Sequence, residues 1–250
     1  MFRRVLYLVG SMLLLVASSA FAFPAIDLTA GQTDVLGVDG TIWSSNVTQP
    51  TGTGVYNPFL RVQNSPSEEG FNTDAKSVPL DDKAGIWTHS VQWNTLATIT
   101  ISGTDYYSFQ LDANEPQSGT ESLISLDKLK IYTDSSASRT DLNGLTPLYD
   151  MDAVSDQTVF IETALKPGSG TDDLTLYIPK SFFNGVVGTD YMYFYTQFGL
   201  SDLDPGLVSD ATFEEWRAVQ GPGNEVPEPS TVLLLGSGLI GLMGIRRRKK

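Results

Sequence analysis

Tyr106-Tyr107-Ser108-Phe109-Gln110-Leu111 puts Tyr107, Phe109 and Leu111 on one side of an extended chain and Tyr106, Ser108 and Gln110 on the other. Successive side chains of a strand point to opposite faces, so this pattern predicts a strand with one buried face. The alternation recurs in Ala97-Thr98-Ile99-Thr100-Ile101. Leu129 and Ile131 alternate with Lys128, Lys130 and Tyr132, and Leu174, Leu176 and Ile178 with Thr175 and Tyr177. Further strands are expected near 33–38, 55–63, 157–164 and 190–198. Ser102-Gly103-Thr104, Asn143-Gly144 and Pro167-Gly168-Ser169-Gly170 mark turns between them. The body shows no long stretch with the ~3.6-residue period of a helix. One helical turn is expected over Lys180–Asn184, and Glu214–Val219 reads as helix or strand. Many short strands without a solenoid or propeller repeat predict an all-β body, a single β-sandwich that is jelly-roll-like or Ig-like.

The two ends do not belong to that body. Arg3 and Arg4 are followed by 12 apolar or small residues, Val5 to Val16, and then by Ala20-Phe21-Ala22. A basic start, an apolar run and a small-x-small site form a secretory signal peptide over 1–22, with Ala20 and Ala22 setting the cleavage site. The run is short for a membrane anchor, which needs roughly 17–25 residues. At the other end, the 15 residues Thr231 to Ile245 carry no charge. As a helix they reach ~22 Å at ~1.5 Å per residue. They can just cross a ~30 Å hydrocarbon core with help from their neighbours and local thinning. Arg246, Arg247, Arg248, Lys249 and Lys250 then stop transfer, because each cation at mid-bilayer costs roughly 2.5–3.5 kcal/mol. The expected layout is a signal helix at 1–22, the sandwich over 23–220, a Pro/Gly stalk over 221–230 and a single transmembrane helix with a basic stop over 231–250.

Pro227-Glu228-Pro229, a short apolar helix and a terminal arginine cluster together resemble the PEP-CTERM sorting signal. The two prolines keep the stretch extended and short of backbone donors, a form that a peptidase can bind. The resemblance implies export in a Gram-negative bacterium that makes exopolysaccharide. It also implies transient anchoring in the inner membrane through the C-terminal helix, and processing by exosortase, a membrane-embedded cysteine peptidase. Signal peptidase is the partner implied at the N-terminus. A second resemblance covers most of the body. Phe71-Asn72-Thr73-Asp74, Thr88-His89-Ser90, Gly103 to Pro116, Leu123 to Tyr132, Leu148 to Asp152, Pro167 to Asp173, Tyr177-Ile178-Pro179 and Phe213 to Trp216 occur in that order. The succession is similar to an uncharacterised PEP-CTERM architecture whose central motif is DINEP. Here Ala113 stands for its isoleucine in Asp112-Ala113-Asn114-Glu115-Pro116.

Charge narrows the function. Setting aside the two leader arginines, the five tail cations and Glu228 leaves 9 basic and 28 acidic residues, near −19. Such a body does not bind nucleic acid, whose phosphates need a basic face. It suits divalent cations better. With no cysteine the fold has no disulfide staples. A body of this size can bury a sufficient core without them, and a structural calcium ion would add a further clamp.

The calcium ligands that sequence suggests are Asp112, Asn114 and Glu115, where a strand runs into a turn, completed by Asp150 and Asp152, by Asn72 and Asp74, or by Asp172 and Asp173. The competing reading is a turn whose Asn and Asp bond their own backbone. Tyr191, Tyr193 and Tyr195 share one strand face, and Met192, Phe194 and Phe198 the other. With the second set in the core, the tyrosines form an outward ridge for sugar rings, or simply cover a half-exposed sheet. The four tryptophans are expected in the core. Catalytic signals are poor. His89 stands alone, there is no thiol, and neither a G-x-S-x-G nor an H-E-x-x-H motif occurs. Glu214 and Glu215 are adjacent and so would point to opposite faces of a strand. The reading is a non-enzymatic cell-surface or matrix protein associated with exopolysaccharide or biofilm. The alternatives are a carbohydrate-binding module with a tyrosine platform and a carboxylate-pair glycosidase.

Overall fold

A strand that is apolar on one face gains by laying that face on a second sheet, and this chain does so throughout. The computed structural model describes residues 25–45, 57–75, 80, 86–116, 122–165, 172–200, 207–210 and 212–219. The expected signal peptide with Ala20 and Ala22, the turn at 167–170, the stalk, and the tail with Pro227, Glu228, Pro229 and Arg246 to Arg248 lie outside the described residues. Among the described residues no helix is long and apolar enough to cross a membrane.

The strands are β1 (Ala25–Asp27), β2 (Val35–Leu36), β3 (Ile42–Ser44), β4 (Leu60–Val62), β5 (Glu68–Phe71), β6 (Val91–Gln92), β7 (Thr98–Ile101), β8 (Thr104–Ala113), β9 (Leu123–Asp134), β10 (Tyr149–Asp150), β11 (Thr158–Glu162), β12 (Leu174–Pro179), β13 (Tyr191–Phe198) and β14 (Glu214–Ala218). Sheet I runs β4-β14-β8-β12, extended by β3 and β2, with β7 continuing beside β8. Sheet II runs β5-β13-β9-β11, extended by the parallel β1. In it β10 continues along the β11 edge of β9, and β6 along the β5 edge of β13. Counting the eight central strands in chain order, sheet I reads first-eighth-third-sixth and sheet II second-seventh-fourth-fifth, with antiparallel neighbours throughout. That order is the jelly roll, one of the two sandwich topologies expected.

The core lies between the sheets. Phe109, Leu111, Leu176, Ile178 and Trp216 of sheet I pack with Leu129, Ile131, Met192, Phe194 and Phe198 of sheet II, all buried. The Phe194 ring centroid lies 5.4 Å from Phe59, 5.0 Å from Phe109 and 4.8 Å from Trp216. Such tilted and edge-on pairs add about 0.5–1.5 kcal/mol each beyond the area they bury. The ambiguous stretch at Glu214 is strand because β4 and β8 flank it and take up its backbone bonds on both sides. The helical turn at Lys180 is a single 3-10 turn, Lys180–Phe183, that delivers Phe183 to Trp93 at 4.9 Å. Trp43, Trp93 and Trp216 are core residues as expected. Trp87 is not: it lies exposed, with the Arg61 guanidinium 3.8 Å from its ring centre.

Two polar residues settle breaks in sheet II. β5 pairs with β13 from Tyr195 onward and β6 only at Tyr191 and Met192. The fully buried Asn72 fills the gap. Its amide donates to the Met192 carbonyl at 3.0 Å, and its Oδ1 accepts from the Phe194 amide at 2.6 Å. The side chain thus replaces a missing strand partner. Asn72→Ala should cost about 2–4 kcal/mol in urea unfolding, since it strands a buried donor and a buried acceptor.

Asp127 is the extra residue where the β9–β13 register slips between Lys128 and Leu126. Its carboxylate accepts from Ser125 Oγ at 2.9 Å and the Leu200 amide at 2.7 Å. Burial nevertheless outweighs those donors and pushes its pKa up to about 6. A carboxyl raised in the folded state favours folding fully below its unfolded value, and that contribution is lost as pH rises through the folded one. An NMR titration should place the Asp127 midpoint near 6. Asp127→Asn should flatten the loss of stability between pH ~4 and ~6.

Candidate functional site

The outer face of sheet II is a grid fixed by register. Phe71, Tyr195 and Lys130 form one row, Glu69, Gln197 and Lys128 the next, and Tyr193 and Tyr132 a third. Lys130 is paired with Asp150 at 2.8 Å. That hydrogen bond first, against some burial, raises the lysine pKa and keeps it cationic. Burial, and then the Glu69 carboxylate, push the Tyr195 hydroxyl far up, so it stays a donor to Glu69 Oε2.

The connection from β9 to β10 folds back over part of this grid. Arg139 organises it, donating to Asp134 at 2.7 Å and to the Asp141 and Asn143 carbonyls, each at 2.9 Å. Thr73 and Asp74 tie the same loop to the end of β5 through the Arg139 and Ala137 carbonyls. The Tyr193 hydroxyl donates to the Ser136 carbonyl at 2.6 Å and accepts the Arg139 amide at 3.2 Å.

This corrects the expected platform of Tyr191, Tyr193 and Tyr195. The three do face away from the core that Met192, Phe194 and Phe198 enter, but Tyr193 is 0% exposed beneath the loop. Beside the covered ring lies a cavity of about 400 Å³, floored by Phe71, Tyr132 and Tyr195, flanked by Lys128 and Lys130 and walled by Asp141. Tyr191 is not among its lining residues. Lys128 is exposed, and among the described residues its ammonium makes no ion pair. The aromatic and basic side chains of β9 were legible in the alternation of Lys128, Lys130 and Tyr132; the loop that encloses them was not.

The expected calcium ligands do not assemble. Asp112 lies within β8, whereas Glu115 lies beyond its end at Ala113. Asp112 stands opposite Glu215 in the register, whereas Glu115 accepts from the Asp210 amide. Asn114 donates to the Phe213 carbonyl at 3.1 Å. Asp150 and Asp152 belong to the β10 segment of the other sheet, where Asp150 holds Lys130 and Asp152 accepts from the Gln157 amide. The alternative partners are also engaged. Asp74 accepts from Ser90, Asp172 from Arg217 at 2.5 Å, and Asp173 from the Ala113 amide at 2.9 Å. Among the described residues no group of three His, Asp or Glu side chains is arranged to hold a metal ion.

A different acidic group has formed at the end of the sandwich. Glu68 opens β5, Glu115 follows β8 and Glu214 opens β14, and all three are buried. Glu214 shares the inward face of Trp216, while Glu215 points outward to Arg61 Nε at 2.7 Å. Burial first, then Glu68, Glu115 and Asp112, hold the Glu214 carboxyl well above the usual range. Burial also pushes Glu115 up to about 7, against the bonds from Asp210 and Thr212.

The C-terminal tail settles what kind of chain carries this body. Residues 225–249 match the family described as the PEP-CTERM protein-sorting motif. The tail is a PEP-CTERM sorting motif. It implies processing by exosortase, export, and placement at the cell surface or outside the cell. No curated protein and no solved structure matches the chain.

The loop geometry carries its own test. Arg139→Ala should lose charge-assisted bonds worth roughly 1–3 kcal/mol, discounted for partial exposure. Hydrogen exchange of the 136–143 amides should then accelerate while the β8 and β12 amides keep their protection.

Proposed function

We propose that this protein is a non-catalytic component of the bacterial surface or matrix whose jelly-roll body contacts exopolysaccharide through the outer face of sheet II. The signal peptide at 1–22 starts its export, the C-terminal helix anchors it briefly in the inner membrane, and exosortase then releases it near Pro227-Glu228-Pro229. The cavity floored by Phe71, Tyr132 and Tyr195 is the observation that carries the glycan reading. Its volume of about 400 Å³ falls at the lower end of ligand pockets, which run from roughly 300 to 1,000 Å³. Aromatic rings offer flat apolar faces to a sugar ring, and Lys128, Lys130 and Asp141 offer hydrogen bonds at its edge. Lys128 sets a cation at the edge of the cavity, where it can pair with a carboxylate on the sugar although the body as a whole is acidic. Glycoside hydrolysis asks for two carboxyl groups across the scissile bond. Asp141 is the only acid among the described residues that line the cavity, which supports binding over turnover.

Calorimetry with the producing cell's own polysaccharide tests the glycan reading. Tyr132→Ala should weaken binding about tenfold, the ~1.4 kcal/mol of one lost ring contact. Lys128→Ala should make the remaining affinity less salt-dependent without moving Tm. Absence of binding by the wild type would end the proposal. The sorting half is tested separately by intact mass of the secreted protein. Both ends should be missing, and a chain without Arg246 to Lys250 should be matured poorly.

A further inference from the structure

We propose that the closed end of the jelly roll between β5 and β14 holds one divalent cation, calcium by ligand chemistry, clamped by the carboxylates of Glu68 and Glu214. The two residues are brought together by the β4–β5 connection. Val62, at the end of β4, pairs with Glu214, and the chain returns six residues later as Glu68. Both side chains are buried, Glu214 at 0% exposure. Among the described residues neither Glu214 oxygen has a donor other than the Glu68 carboxyl, which can serve as one only while it holds a proton. The charged groups that bear most on Glu214 are Glu68, Glu115 and Asp112, so acids surround it. The nearby arginines are committed on the outer face of sheet I, Arg61 to Glu215 and Arg217 to Asp172. Among the described residues no cationic side chain pairs with Glu214.

An ionised carboxylate without donors or a counter-charge does not persist in a protein interior; it is neutralised or it binds a metal. A proton shared between Glu68 and Glu214 neutralises one charge and leaves Glu115 beside the pair. A divalent ion neutralises two and supplies what the Glu214 oxygens lack. Every ligand on offer is a hard oxygen, which selects calcium or magnesium over softer metals. Glu115 is engaged by the Asp210 amide, and among the described residues no three acids are arranged to hold a metal, so main-chain carbonyls and water would complete the shell. Calcium's loose set of roughly six to eight oxygens accepts this more readily than magnesium's strict octahedron. Export places the end of the sandwich where extracellular calcium modules work, with Kd of roughly 10⁻⁴–10⁻³ M. The ion would join β5 of sheet II to β14 of sheet I at the end where acidic side chains replace apolar ones.

The test uses the mature protein from producing cells, stripped with EDTA and titrated with calcium chloride alone. One ion per chain should bind. At calcium about tenfold above Kd, Tm should rise by about 3–6 °C. Terbium should report the site through Trp216, two residues from Glu214 on the same face, with sensitised emission that calcium displaces. Glu214→Gln and Glu68→Gln should each abolish the Tm rise and the emission. The exposed Asp156→Asn should leave both unchanged, which separates this site from loose binding to an acidic surface. A wild type whose Tm and heat signal ignore calcium overturns the proposal in favour of a shared proton. A response that survives both glutamine variants overturns it as well.

Discussion

The sandwich depends on one contact between its layers. Phe194, in the middle of β13, inserts its ring among Phe59, Phe109 and Trp216 of the facing sheet. Sheets held about 10 Å apart leave room for one interdigitated layer of side chains, and large rings fill that layer at low entropic cost. The cluster sits where β8 and β14 pair in one sheet and β9 and β13 pair in the other. It therefore fixes which faces of four long strands point inward. Every outward residue on those strands is placed as a consequence, including the aromatic and basic grid of sheet II.

Polar side chains finish what the rings begin. A jelly roll built from short strands leaves gaps in its ladders, and a buried backbone group without a partner is expensive. Asn72 closes one such gap with both ends of its amide. Asp127 closes another where β9 gains a residue against β13. Arg139 does the same for a loop, gathering a carboxylate and two carbonyls so that the β9–β10 connection lies flat on the sheet. That loop turns an open tyrosine face into a bounded cavity.

The two ends of the core differ. Near Trp93, Tyr107 and Phe183 the layer is closed by aromatic rings. Near Glu68, Glu115 and Glu214 it is closed by carboxyl groups. Loops bonded to the acids, among them the Asn64 and Asp210 amides, supply part of the solvation that water would give. Each end is built from the same strands, so the contrast reflects the residues at strand termini and not a change of fold.

Sequence by itself determined the all-β class, most of the long strands and the inward set on each, because period-two alternation is a local property of the chain. It also determined the sorting tail, because that motif is one contiguous stretch of residues and does not depend on the fold of the body. It left the jelly roll unresolved against an Ig-like sandwich, since strand order depends on pairings between residues far apart in the chain. It grouped Asp112 and Glu115 as candidate calcium ligands, whereas the structure sets Asp112 opposite Glu215 in the ladder and gives Glu115, beyond the end of β8, to the Asp210 amide. It missed the burial of Tyr193, which a loop some fifty residues earlier provides. Only the tertiary structure could bring Glu68 to Glu214: they are distant in sequence and lie in different sheets, and the short β4–β5 crossover from the Val62 partner of Glu214, not a motif, links them.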